Sequence, residues 1–262
     1  MSVANVQGKI LVMLKKVLFK VLPPKIQFKI RTSILGLIII LIKSYQISIK
    51  SNKFYSQFGE DTILQKYLQE NKGFYLDIGS GDPVRGSNTF FLYKKGWSGI
   101  LIDPLTRNMF PSKIIRRKDR IIQGLVGATN KSYLFYELYP YEYSTTNNEI
   151  VKDLINNKKA KLVKKVQLNT FSVSELNLNI NLDQPSLLSV DCEGFDLEVL
   201  KTIDLKTIKF RVICAEDFDY NPASKSSAIN QYLNENGYEI VDRAGPSSIY
   251  VKSSWLQENL NN

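Results

Sequence analysis

Past residue 53 the chain alternates short β-branched and aromatic runs with segments of helical period, and this narrows the fold more than any other feature. The pattern predicts a helix over Glu60–Glu70, a strand over Phe74–Ile78, a Gly-containing loop, a helix near Asn88–Lys95 and a strand over Gly99–Ile102. After a short helical stretch, a further strand is expected over Arg120–Val126. Beyond a divergent middle section come a strand at Ser186–Val190, a helix at Phe195–Thr202, a strand at Phe210–Ala215 and a helix at Ser226–Glu235. Repeated strand-then-helix units imply an α/β fold, a parallel sheet covered on both faces, with ligands bound outside the carboxyl ends of its strands. Only a Gly-Pro turn separates the last two strands, Tyr238–Val241 and Ser248–Lys252, so they should form an antiparallel hairpin at one edge.

The chemistry open to such a body is bounded by what is missing. None of the 262 residues is His, which removes Ser-His-Asp and Cys-His catalysis, histidine metal ligation and a histidine base together. Two cysteines, Cys192 and Cys214, lie in apolar runs and cannot form a disulfide framework, as expected of buried thiols in a reducing cytosol.

The net charge of +10 suggests nucleic acid until the charges are located. Residues 1–52 hold nine Lys and Arg and no acid, so the remaining 26 basic residues nearly balance the 25 acids of 53–262. The sequence therefore divides into a basic N-terminal arm, 1–52, and a near-neutral body, 53–262. From Ile10 to Leu22 apolar residues recur at helical spacing with Lys9, Lys16 and Lys20 opposite, an amphipathic helix stopped by Pro23 and Pro24. A second apolar run, Ile34–Ile42, is too short for the roughly 20 residues that span a bilayer, and no secretory cleavage pattern follows it. Two readings stay open: the arm lies on an anionic inner membrane face, or it packs on the body or a second copy. Nucleic acid is not expected, because no recognition module accompanies the charge.

The strongest motif is Asp77-Ile78-Gly79-Ser80-Gly81 at a strand end, with Asp103 closing the next strand 22 residues after Gly81. Such glycines let a ligand approach the backbone, and an acid at the next strand end can accept from both ribose hydroxyls, which suits an adenosine ligand. Asp77 would repel a pyrophosphate but complement the amino group of a sulfonium amino acid. That favours S-adenosylmethionine over NAD, which remains the alternative.

Ser56-Gln57-Phe58-Gly59-Glu60-Asp61, the glycine loop, Ser87-Asn88-Thr89, Gly96-Trp97-Ser98-Gly99 with Asp103-Pro104, and Ser189-Val190-Asp191-Cys192-Glu193-Gly194 together resemble the FkbM family of S-adenosylmethionine-dependent methyltransferases. The resemblance covers about residues 54–252. It implies a Rossmann-like seven-stranded sheet, mostly parallel with the antiparallel edge hairpin, and O-methylation of sugar or polyketide hydroxyls. It also implies a cofactor held by Asp77, Gly79, Ser80, Gly81, Asn88 and Asp103, with Gln57, Glu60 or Asp61 closing over it.

A second constellation, Asp191, Glu193 and the pair Glu216-Asp217, ends the two strands expected beside the first. Methyl transfer needs positioning and loss of the acceptor's proton, and without histidine a carboxylate or a carboxylate-bound Mg²⁺ is the natural candidate to promote that loss. Asp191 is the first candidate for base or metal ligand, with Glu216 behind it. Glu193 would hold acceptor hydroxyls or cap the helix that begins near Gly194. Tyr133, Tyr136, Tyr139, Tyr141 and Tyr143 suit stacking on a sugar face or, alternatively, an aromatic hairpin packed on the sheet edge. The lysines of 156–165 read as a solvated face or a contact for an anionic glycan or headgroup. The expected function is O-methylation of a saccharide or glycolipid acceptor by a cytoplasmic, peripherally membrane-bound enzyme. A nucleotide-sugar or NAD oxidoreductase and a tethered non-catalytic scaffold are the rivals.

Overall fold

A computed structural model describes residues 34–49, 54–180, 183–224 and 226–260. The predicted helix at Ile10–Leu22 lies outside the described residues. The chain divides into two compact units, Met1–Lys43 and Ser44–Asn262. The apolar run beginning at Ile34 forms helix α1 (Ile34–Ser48), and among the described residues no helix is long and apolar enough to cross a membrane.

In the second unit the alternating pattern builds a seven-stranded sheet. In chain order its strands are β1 (Phe74–Ile78), β2 (Ser98–Asp103), β3 (Arg120–Gln123), β7 (Ser186–Val190), β8 (Val212–Glu216), β9 (Tyr238–Ala244) and β10 (Ser247–Lys252). They lie side by side as β3-β2-β1-β7-β8-β10-β9. The first five run parallel, and β10 pairs antiparallel with both β8 and β9, so the expected edge hairpin is present. The chain first builds outward from β1 through β2 to β3 and then returns to β1's other side with β7. This makes the carboxyl ends of β1 and β7 a switch point, where an open sheet leaves a crevice.

Every residue of β7 and β8 is buried, as expected of central parallel strands covered on both faces. Period-two alternation sorts β1: Leu76 and Ile78 join Leu188, Val190, Ile213 and Ala215 under helices α6 (Asp196–Leu200) and α7 (Ala228–Glu235). Tyr75 on the opposite face joins Leu187, Val212, Cys214 and Ile249 under α2 (Glu60–Tyr67) and α3 (Phe90–Lys95). Helix α4 (Thr106–Ile115) links β2 to β3, and α8 (Ser253–Leu260) follows β10.

One predicted strand is corrected. Arg120–Val126 is two strands broken at Gly124, whose amide donates to the Asp103 carbonyl at 3.2 Å. A side chain at Gly124 would strike the Phe171 ring at 2.7 Å, so glycine lets the chain leave the main sheet under that ring. Beyond it, β4 (Leu125–Val126) joins a separate three-stranded sheet ordered β4-β6-β5, with β5 (Ser132–Tyr139) and β6 (Lys161–Phe171) antiparallel. The divergent middle section is therefore a hairpin with helix α5 (Asn148–Asn156) between its arms, started by the Asn147 side chain accepting from the amides of Glu149 and Ile150.

Candidate active site

The loop after β1 stays tied to both neighbouring strands. Gly79 and Ser80 donate to the Ile102 carbonyl at 2.9 and 3.2 Å, and Asp191 donates its amide to the Ile78 carbonyl at 3.0 Å. The two glycines have different reasons to be glycine. Gly79, at φ 78°, faces the β7 end so closely that a β-carbon there would lie 1.7 Å from the Asp191 carbonyl oxygen. Gly81, at φ 59°, faces open space, with nothing nearer than 3.9 Å to such a carbon. Ligand approach to the backbone, expected of both, is thus available at Gly81, while Gly79 serves strand packing. Between them the buried hydroxyl of Ser80 has no hydrogen-bond partner among the described residues.

The register of β7 and β8 against β1 brings the second constellation to the same place. Asp191, Glu193 and Glu216 each offer a carboxylate oxygen within 4.8 Å of the others. Asp191 and Glu216 are hydrogen-bonded, and both are raised above the ordinary carboxylate range, first by burial and then by neighbouring charge, that of Asp196 at Asp191 and that of Asp191 at Glu216. The charge of Glu60 is felt at Asp191 as well. Burial and the neighbouring Asp191 and Asp196 push Glu193 up to about 8. Oε2 of Glu216 is buried without a hydrogen-bond partner among the described residues. Among the described residues none of these carboxylates makes an ion pair with Lys or Arg. Among the described residues these acids gather without a Lys or Arg paired to them, and burial and mutual repulsion raise their proton affinity.

Glu193 does not cap the following helix. Its backbone is left-handed at φ 50°, held by the Thr145 hydroxyl donating to its carbonyl at 2.9 Å. The carboxylate that gathers the amides before α6 belongs to Asp196, which accepts from Cys192 at 2.9 Å and Gly194 at 3.1 Å. The helix itself starts at Asp196, one residue later than the predicted Phe195, and the left-handed turn at Glu193 and Gly194 brings the Cys192 and Gly194 amides back to its carboxylate.

The remaining predicted cofactor residues support the loop from beneath. Asp77 is buried, accepting from the Thr89 hydroxyl at 2.6 Å, and burial pushes it up to about 6 against that bond. Thr89 thus engages one oxygen of this carboxylate from beneath the loop. Asn88 is buried between Ser189 and Cys214. Asp103 accepts from the amides of Leu105 at 2.7 Å and Gly81 at 3.0 Å and from Asn108 at 2.9 Å. A carboxylate has about four acceptor sites, so one is left for a ribose hydroxyl. Glu60 is buried, its oxygens accepting from the Phe58 amide at 2.9 Å and the Ser247 hydroxyl at 3.1 Å. Asp61 pairs with Ser56 at 2.7 Å and does not cap α2, whose N-cap is Gly59.

Sequence reasoning missed the residue that fastens this layer. Arg116 has no exposed surface; it pairs with Asp119 at 2.8 Å and donates to Pro83, Tyr75 and Thr89 at 3.0, 2.9 and 3.0 Å. Thr89 relays that hold to Asp77. In Arg116-Arg117-Lys118-Asp119 it reads as one member of a solvated charge run, and no local signal marks it.

The tyrosine-rich hairpin packs against the Asp191–Gly194 loop, with Tyr133 edge-on to Phe195 at 5.0 Å. Tyr136 and Tyr143 belong to the hairpin's own core. Tyr139 and Tyr141 meet edge to face, and Arg107 covers the Tyr141 ring. Stacking on a sugar, expected of all five tyrosines, is thus not a shared property of the stretch. The β6 lysines are exposed, Lys164 pairing with Glu137 at 3.1 Å.

The family model of the methyltransferase FkbM domain matches residues 77–240, from Asp77 at the glycine loop into β9. No curated protein matches the chain.

Proposed function

Because the chain belongs to the methyltransferase FkbM family, we propose that it moves a methyl group from S-adenosylmethionine to a hydroxyl of a saccharide. The observation that carries this reading is the set of buried carboxylates, without a Lys or Arg partner among the described residues, beside the open glycine loop. A sulfonium amino acid carries a sulfonium and an ammonium against one carboxylate, and such a net cationic guest complements the cluster. The unpartnered Ser80 hydroxyl and the open face of Gly81 fit a ligand lying over β1.

When bound, S-adenosylmethionine supplies an electrophilic methyl group on a sulfonium. The residues of this chain hold the acceptor oxygen in line with it and take its proton. Asp191 is the base: it stands at the end of the strand beside the glycine loop, and burial raises its proton affinity toward neutrality. Glu216, hydrogen-bonded to it and with a higher affinity, keeps a proton and orients Asp191. Asp191, Glu193 and Glu216 are also the residues that would hold Mg²⁺, since three hard carboxylate oxygens suit that ion, which would polarise the acceptor hydroxyl.

For location, we propose the cytoplasmic face of an anionic membrane. The supporting features are two free cysteines, nine basic residues without an acid in 1–52, and a stripe of Ile34, Ile38, Ile42, Tyr45 and Ile49 exposed along the α1 region. Calorimetry with S-adenosylhomocysteine and NAD side by side tests the donor. Saturable binding of the former alone is expected, and binding of NAD alone would overturn the assignment.

A further inference from the structure

The order β1, β7, β8 sets the glycine loop, Asp191 and Glu216 in succession, and beside Glu216 opens a cavity of about 230 Å³. That is room for one sugar ring, below the range of about 300 to 1,000 Å³ usual for drug-sized ligands. Among the described residues its lining includes Asp196, Glu198, Glu216, Asp217 and Asp219, and no Lys or Arg. Two of these acids are already engaged. Asp196 holds the Cys192 and Gly194 amides, and Asp217 accepts from the Ser227 hydroxyl at 2.6 Å with Arg243 nearby. Among the described residues Glu198 and Asp219 are exposed and make no hydrogen bond or ion pair, and the buried Oε2 of Glu216 has no partner. At the rim Phe218, between Asp217 and Asp219, leaves 63% of its surface exposed.

Free carboxylates and an unpaired aromatic face around a ring-sized cavity recognise an ammonium group, by charge and by attraction to the ring. A neutral sugar would leave the acids facing one another, and an anionic one would be repelled. We infer that this cavity is the acceptor subsite and that the acceptor is an amine-bearing sugar, its ammonium placed among Glu198, Asp219 and Phe218. The inference rests on the proposal that Asp191 and Glu216 stand at the reaction centre.

The test uses full-length protein and protein-detected NMR titrations with D-glucosamine, N-acetyl-D-glucosamine and D-glucose at about pH 6.5, below the usual α-amino range. D-Glucosamine should bind at least tenfold more tightly than the other two and weaken as salt rises. Glu198→Gln with Asp219→Asn should remove at least tenfold of that affinity, and Phe218→Ala severalfold, while S-adenosylhomocysteine binds as before. These side chains are exposed, so the variants should fold, and retained S-adenosylhomocysteine binding verifies it. Equal affinity for the three sugars, or a double variant that binds D-glucosamine as well as the parent, would overturn the inference while leaving the donor assignment intact. Failure of S-adenosylhomocysteine to bind the parent protein would instead remove the reading on which the inference rests.

Discussion

Gly79 and Gly81 stand two residues apart in one loop, both left-handed, and alanine at each should separate packing from ligand approach. At Gly79 the added methyl would lie 1.7 Å from the Asp191 carbonyl oxygen and 2.7 Å from its carbon, where ordinary contact begins at 3.4 Å. The obstacle is backbone and cannot swing aside as a side chain would. Relief requires parting the β1 and β7 ends, which breaks the 3.0 Å bond from the Asp191 amide to Ile78. A lost buried hydrogen bond costs about 1 to 3 kcal/mol, and the left-handed backbone adds about 1 to 2. For a unit of this size each kcal/mol moves Tm by about 2 to 4 °C, so Gly79→Ala should lower it by about 4 to 20 °C. At Gly81 the nearest atom is 3.9 Å away, so only the backbone contribution applies, about 2 to 8 °C. Its methyl, however, projects into the space assigned to the donor, and S-adenosylhomocysteine affinity should fall about tenfold or more, near 1.4 kcal/mol. Thermal melts with calorimetry on the two variants decide. A Gly79→Ala loss no larger than that of Gly81→Ala, or Gly81→Ala with parental affinity, would refute the division.

Arg116→Met should cost about 3 to 5 kcal/mol in urea unfolding, because Asp119 is left buried without its cation, and Asp119→Asn added to it should restore part. A loss below about 1 kcal/mol would show the pair to be slack. With chelator present, Tm should fall as pH rises from about 5 to 8. Asp77, Asp103 and Asp196 are raised to about 6 and Glu193 to about 8, so the folded state keeps protons that the unfolded state has released. Their stabilisation is complete below the unfolded value near 4 and is lost through the folded values. Glu193→Gln should flatten the upper end, and a profile that rises over this range would contradict the assignment. Asp191→Asn keeps shape but loses the base, so methyl transfer should drop by about 10² or more while S-adenosylhomocysteine binding changes little. Near-parental turnover would move the base role to Glu216.

Much of the main sheet was legible because its signals are local. Phe74–Ile78 and Ser186–Val190 are apolar runs bounded by turn residues, and the structure places strands on those same residues. What escaped depended on partners distant in sequence. Nothing near Gly124 shows that Phe171 will fill the space beside it, and nothing near Arg116 shows that Tyr75, Pro83 and Thr89 will surround it. Glu193 and Asp196 are both acids near a helix start, and only the left-handed turn at Glu193 and Gly194 decides which carboxylate reaches the amides.

The acids of the site were each visible in the sequence, but their convergence follows from register. Ile78 pairs with Val190 and Val190 with Ala215, so the next residues, Gly79, Asp191 and Glu216, stand in one row at the strand ends. Ser247, opposite Glu216 on β10, extends that row and reaches Glu60 from α2. A slip of one residue between β7 and β8 would turn Asp191 to the opposite face and leave Glu216 without its partner. The missing side chain of Gly79 lets the β1 and β7 ends meet in register, since any larger residue would hold the Asp191 backbone away. The glycine needed for packing thus sets the spacing of the carboxylates. Substitution at Gly79 should accordingly impair methyl transfer through Asp191, even in variants that still fold and bind the donor at Gly81.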